Sequence, residues 1–313
     1  MLARTLKPAG YFFGMREPYT KSALTYGEQL ELLRGRGLDV GDADAAEFYL
    51  ANLNYYRLAA YWLPFESDHA THRFMADASF DRVLALYIFD RELRLLTLDA
   101  LEHVEVAVRA RWAHELARAH GPHAHLDRKL HQRTPEAYDR DLRTLLEAVT
   151  RAERQEVFIR HLLSKYEEPL PAIWAVCEVM PFGLLSRWYG NLSDAQVRTA
   201  IAREFDLDHR QLGSWLHHLS IVRNVCAHHG RLWNREFTVT PTTPRSKPDG
   251  LAPRWNLRSR QLYNTLLIVL HFMDVVAPHH TWRDRLRDHL ATLDAPGGIE
   301  AMGFPARDRC IDL

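Results

Sequence analysis

The longest unbroken pattern of apolar positions starts after Ser79 and runs to His120. Val83, Leu86, Tyr87, Leu93, Leu96, Leu101, Val104, Val108 and Trp112 recur at three- and four-residue steps, which predicts one long amphipathic helix closed by Gly121-Pro122. Charges ride on it at the same spacing, in Asp90-Arg91-Glu92-Leu93-Arg94 and again from Glu102 to Arg109. Glu105 to Arg109 has the favourable orientation for a helix ion pair. Two roles stand open for Glu102, Glu105 and Arg109: a solvated stripe, or a set that orients groups on a neighbouring helix.

Upstream, residues 1–24 lack periodicity and read as an arm broken by Pro8, Gly10, Gly14 and Pro18. Thr25-Tyr26-Gly27-Glu28 has the spacing of a capping box, and Gly35 and Gly37 stop the short helix that follows. Asp42 or Asp44 caps a second helix that reaches Pro64 and is crowded with aromatic residues. Within it, Asn54-Tyr55-Tyr56-Arg57 offers Tyr56 and Arg57 as a stacking and phosphate surface for single-stranded RNA. The alternative, favoured by the helical spacing, makes these rings the core of a helical subdomain with Arg57 salt-bridged at its edge.

Downstream, a helix is expected from Pro135 to Tyr166, then shorter ones over 172–180, 182–189 and 194–205, and a long one from about Leu212. Pro241, Pro244, Pro248 and Pro253 mark an extended loop. Two more helices, 258–276 and 281–293, precede a Gly/Pro-rich tail. No repeat or strand set emerges, so the fold class is all-α: a helical bundle with additional N-terminal helices. The expected division is 1–75 for the arm and small helical region, 76–295 for the bundle and 296–313 for the tail.

Composition narrows the picture. The 313 residues are 47% hydrophobic and 26% charged, with 40 basic residues against 40 acidic ones. That balance argues against a non-specific nucleic-acid coat while leaving room for a local groove. No apolar run reaches the roughly eighteen residues of a membrane span, and the first residues lack a signal peptide's apolar segment, so a cytoplasmic protein is expected. Cys177, Cys226 and Cys310 are too scattered for a disulfide framework or a CxxC metal site. His120, His123 and His125 lack a carboxylate or thiolate at a recognised ligand spacing and read as a polar loop; no metal or cofactor is expected.

The densest chemistry is Arg223-Asn224-Val225-Cys226-Ala227-His228-His229-Gly230-Arg231-Leu232-Trp233-Asn234. Two arginines, two histidines and two amides stand at the end of an otherwise apolar helix. Gly230 is the expected C-cap, which puts both histidines in the last turn, where the helix dipole attracts positive charge. On a helical wheel Asn224 and His228 share a face, about 40° apart, while Arg223 lies about 140° from His228. A proton carrier beside a permanent cation is the minimum equipment for cleaving a phosphodiester.

These blocks together resemble the Abi-like abortive-infection proteins of bacteria, of the AbiD/AbiF type, along almost the whole chain. The resemblance rests on Thr25 to Leu30, Arg36-Gly37-Leu38, Tyr55 to Leu58, Tyr61 to Phe65, Asp90 to Arg94, Glu102/Glu105/Arg109, Phe182 to Ser186, and above all Arg223-Asn224 with Ala227-His228-His229 and Arg231 to Asn234. It implies membership of the HEPN superfamily, in which an Arg, four to six intervening residues and a His form a metal-independent ribonuclease site, often across a homodimer. Arg223 to His228 has four intervening residues and Arg223 to His229 has five, so both histidines are candidates.

The roles expected on that basis are His228 or His229 as proton carrier, Arg223 as phosphate clamp and Asn224 as positioning donor. Arg231 and Asn234 either bind phosphate or brace the turn. The expected partner is RNA, cut or merely held as a structured non-coding RNA, with a second copy of the chain and an antitoxin or other regulatory partner. A metal-dependent hydrolase using the eighteen histidines is the remaining class.

Overall fold

The computed structural model describes residues 18–305. Most of the expected arm, the end of the tail and Cys310 lie outside the described residues. α1 (Tyr26–Gly35) opens on the expected capping box: the Thr25 N–H donates to the Glu28 carboxylate at 2.7 Å and the Glu28 N–H donates to the Thr25 hydroxyl at 3.3 Å.

One helix was expected up to Pro64, and the chain makes two, α2 (Ala43–Leu53) and α3 (Tyr55–Trp62). Asn54 breaks them with a φ of 67°, a conformation that Asn tolerates better than most residues. Its side chain then accepts from the Tyr56 N–H at 2.9 Å, so the same residue caps α3. A small antiparallel hairpin follows, β1 (Glu66–Asp68) against β2 (Arg73–Phe74), with Glu66 opposite Phe74. The sequence pattern showed no strands here.

α4 (Phe80–His120) is the mast of the molecule: 41 residues, hence about 60 Å long. Ser79 caps its start, accepting from the Arg82 N–H at 3.2 Å, and Gly121 ends it with a φ of 87°. Val83, Leu86, Leu93, Leu101, Val104, Val108 and Trp112 are buried as their spacing requires. Four polar residues, Asp90, Arg94, Thr97 and Glu105, are buried on the same helix.

The remaining helices gather around it. α5 (Pro135–Gln155) and α6 (Val157–Lys165) replace the single helix expected over that stretch. The chain turns extended at Glu156, which drops Ile159 into the core, and the Arg160 guanidinium donates to the freed Glu153 and Arg154 carbonyls at 3.1 and 3.2 Å. α7 (Ile173–Val179), α8 (Phe182–Asn191), α9 (Ala195–Arg203) and α10 (His209–Ala227) follow at short spacings. α11 (Tyr263–Val276) has ten of its fourteen residues buried, and α12 (Trp282–Ala291) closes the bundle. α3 and every helix from α7 to α12 touch α4.

The fold is all-α apart from the hairpin, and one continuous apolar cluster runs from Leu30 to Phe304. Among the described residues no helix is long and apolar enough to cross a membrane.

Candidate functional site

α10 buries Leu212, Trp215, Leu216, Leu219, Val222 and Cys226 at helical spacing. That face keeps the helix seated on α4 while Asn224, two residues before its last buried position, stays exposed. The helix stops sooner than Gly230 suggested. His228 is the C-cap, its N–H donating to the Asn224 carbonyl at 3.0 Å. The His229 N–H then donates to the Cys226 carbonyl at 3.0 Å, and the Gly230 N–H to the Val225 carbonyl at 2.7 Å. Those two bonds are a Schellman motif, which places the left-handed residue one step before the glycine.

His229 therefore occupies the position that glycine usually fills, with a φ of 57°. A side chain there costs about 1–2 kcal/mol. Gly230 is needed for another reason: a Cβ on it would lie 3.0 Å from Val225 Cγ1 and 3.1 Å from the Val225 carbonyl. The expectation that both histidines sit in the final turn is thus corrected. His228 is half out of the helix, His229 is beyond it, and both are exposed.

Arg223 points to α4. Its Nε lies 3.6 Å from Oε2 of Glu105, and its Nη1 lies 3.5 Å from the Asn224 side-chain oxygen. The other oxygen of Glu105, Oε1, accepts from Arg109. Arg109 also donates to the Met180 carbonyl at 2.8 Å and the Glu178 carbonyl at 3.3 Å, so it caps the C-terminal end of α7. One buried carboxylate, 7% exposed, is thereby shared between a guanidinium fixed by α7 and one that is not. At 3.6 Å the Arg223 contact is an ion pair without a hydrogen bond, and its side chain keeps 39% of its surface open. Glu102 is exposed and is neither hydrogen-bonded nor ion-paired to Arg223, whose partners are Glu105 and Asn224.

The N-terminal helices reach the same place. Arg57, on α3, donates from Nη1 to the His229 carbonyl at 3.0 Å across 172 residues of sequence. Its edge-of-core salt bridge is replaced by a bond to the motif turn. Tyr56 is 74% exposed, while Tyr61 and Trp62 are buried, so the aromatic stretch divides between surface and core. No hydrogen bond links the imidazoles of His228 or His229 to Arg223.

The span that carries this geometry, residues 48–234, matches the family described as Abi-like protein. The chain belongs to the Abi-like family. No curated protein and no solved structure matches it. The matched span runs from the middle of α2 through α10 to Asn234, the last residue of the motif turn.

The second half of the motif in this Abi-like chain is occupied internally. Arg231 donates to the Ala60 carbonyl of α3 and, at 3.4 Å, to the Asn234 carbonyl. Asn234, with a φ of 50°, accepts from the Gln261 amide at 3.4 Å. Both brace the turn.

The residue that anchors this turn, Asp90, stands in the sequence only as part of the charged run to Arg94 and not among the candidate site residues. It is fully buried and accepts from the Trp233 N–H at 2.6 Å, the Leu232 N–H at 3.0 Å, the Tyr61 hydroxyl at 2.7 Å and Arg94. Burial pushes its carboxyl above the usual range against the pull of those donors, and pushes the Tyr61 phenol up as well. A signal existed: Asp90 falls in phase with Leu86, Leu93 and Thr97 on the buried stripe.

The histidine loop also differs from expectation. His120 pairs with Asp194 at 2.9 Å, but His125 is wholly buried, with neither ring nitrogen hydrogen-bonded, and burial pushes its pKa down to about 4. Among the described residues no three His, Cys, Asp or Glu side chains are placed to hold a metal ion.

Proposed function

We propose that this chain is a metal-independent endoribonuclease acting in bacterial abortive infection or as a toxin, with its site at the end of α10. The observation that carries the reading is the state of Arg223. It is a half-exposed cation, paired without a hydrogen bond to one buried carboxylate, at the same helix end as two exposed imidazoles. The resemblance of Arg223 to His229 to the HEPN ribonuclease pattern, and the family's abortive-infection association, support it.

RNA carries its own nucleophile, so the protein has little covalent chemistry to do. An imidazole, His228 or His229, takes the proton of the 2′-OH, and the resulting oxygen attacks the adjacent phosphorus. Arg223 steadies the charge that gathers on the non-bridging oxygens, with Asn224 as a second donor. The bond from phosphorus to the 5′ oxygen breaks, and a second imidazole protonates the leaving oxygen. The products are a 2′,3′-cyclic phosphate and a 5′-OH. Two proton transfers call for two histidines, supplied by His228 and His229 together or by the facing helix ends of a homodimer.

A second reading is favoured by one observation, that Arg223 and the imidazoles are not hydrogen-bonded within a single chain. A protein that holds a structured non-coding RNA needs the same cations and amides without that pairing. Incubating wild type, Arg223→Ala, His228→Ala and His229→Ala with a mixed RNA pool in excess EDTA separates the two. Cyclic-phosphate ends lost in the Arg223 variant and in one histidine variant support cleavage. RNA that co-purifies intact with wild type and is lost with Arg223→Ala supports holding.

A further inference from the structure

Beyond the helix end, α4 and α7 enclose an open cavity of about 530 Å³. Its floor is Ala110, Ala113 and Ala117, small side chains at i, i+3 and i+7 that leave a slot along α4. Its wall is Trp174, with 57% of its surface exposed in the first turn of α7. His114 and Arg118 stand on the rim, both more than half exposed and both near the Glu115 carboxylate, at 3.9 and 3.7 Å. Opposite them is Glu178, an exposed carboxylate.

This cavity joins the candidate site through a chain of three residues. The Glu178 carbonyl accepts from Arg109, Arg109 donates to Glu105, and Glu105 pairs with Arg223. Ala113 lies eight residues past Glu105, about 12 Å along the helix axis, a gap that a short single-stranded segment spans.

Resting on the RNA reading above, we propose that the cavity is a nucleobase subsite for single-stranded RNA leading away from the scissile phosphate. The indole face of Trp174 supplies a stacking platform, and every base offers a face to match. Arg118 and His114 are placed for the backbone phosphate. Glu178, an acceptor only, takes hydrogen bonds from the exocyclic amines of adenine, cytosine or guanine, whereas uracil offers it a single N3–H flanked by two carbonyls that repel it. An apolar protein segment that covered Trp174 would also bury the Glu178 carboxylate, which pairs with no cation among the described residues, whereas the polar edge of a base meets it with a donor.

The test uses full-length protein and fluorescent 2′-O-methyl 12-mers of A and of U, which bind without being cleaved. Anisotropy should show wild type preferring the A oligomer, Trp174→Ala weakening it about tenfold, and Glu178→Gln abolishing the preference for A over U. Wild-type affinity in Trp174→Ala overturns the subsite while leaving the RNA reading intact. Failure of wild type to bind either oligomer overturns both. Should light scattering show that Trp174→Ala splits an oligomer without changing RNA affinity, the face is a contact between copies of the chain and the proposal is wrong.

Discussion

The two halves of one twelve-residue stretch use the same residue types for opposite ends. Arg223, Asn224, His228 and His229 stand in water, with Arg223 held by an ion pair at 3.6 Å. Arg231 and Asn234, only a few residues on, are turned inward and bonded to backbone and to Gln261. What separates them is the Schellman turn at His229 and the Asp90 carboxylate that grips the backbone of Leu232 and Trp233. An arginine in such a motif is therefore open to solvent or a brace according to where the chain reverses.

The largest effect expected from breaking the inner half is that of Asp90→Ala. It leaves Arg94 unpaired in the core and two backbone N–H groups without acceptors, so stability should fall by about 3–5 kcal/mol, read from urea unfolding. A loss under about 1 kcal/mol would mean the turn is held elsewhere.

Acid sharpens the contrast between buried and exposed histidines. Burial holds His125, His131 and His218 at pKa values of about 4. Their folded pKa is depressed below the unfolded value of about 6.5, so the unfolded chain binds more protons between those values. Stability should be level above about pH 6.5 and fall by a few kcal/mol as the pH drops toward 4. Replacing His125 with Phe should flatten part of that slope in a melting-temperature series.

Smaller effects follow at the turn itself. Arg231→Ala removes the bond to the Ala60 carbonyl and should cost about 1–2 kcal/mol without preferentially harming RNA turnover. His229→Gly relieves the left-handed backbone and should raise stability by about 1 kcal/mol. If turnover falls in the same variant, His229 is a proton carrier whose strain is retained for function.

Much of this was legible in the chain. The α4 stripe, the Thr25 capping box and the Gly121 stop all rest on local rules, and the structure follows them. What escaped depends on distance. Asp90 looks like half of a surface ion pair with Arg94 until the turn 142 residues away packs onto it. Arg57 meets the His229 carbonyl only because α3 folds back against α4. The breaks at Asn54 and Glu156 carry no glycine or proline, and each is compensated by a side chain, Asn54 itself and Arg160, that local periodicity does not register. The wheel angle between Arg223 and His228 assumed a helix that continues through both histidines, whereas it ends at Ala227.

The most direct test of the division between an outer, chemical half and an inner, structural half is one variant measured two ways. Arg223→Ala is followed by urea unfolding and by single-turnover RNA cleavage in EDTA. The account predicts a stability change under about 1 kcal/mol, because Glu105 keeps Arg109, together with a loss of turnover of about a hundredfold or more. Turnover preserved, or lost only in step with unfolding, would contradict it and assign Arg223 to the scaffold.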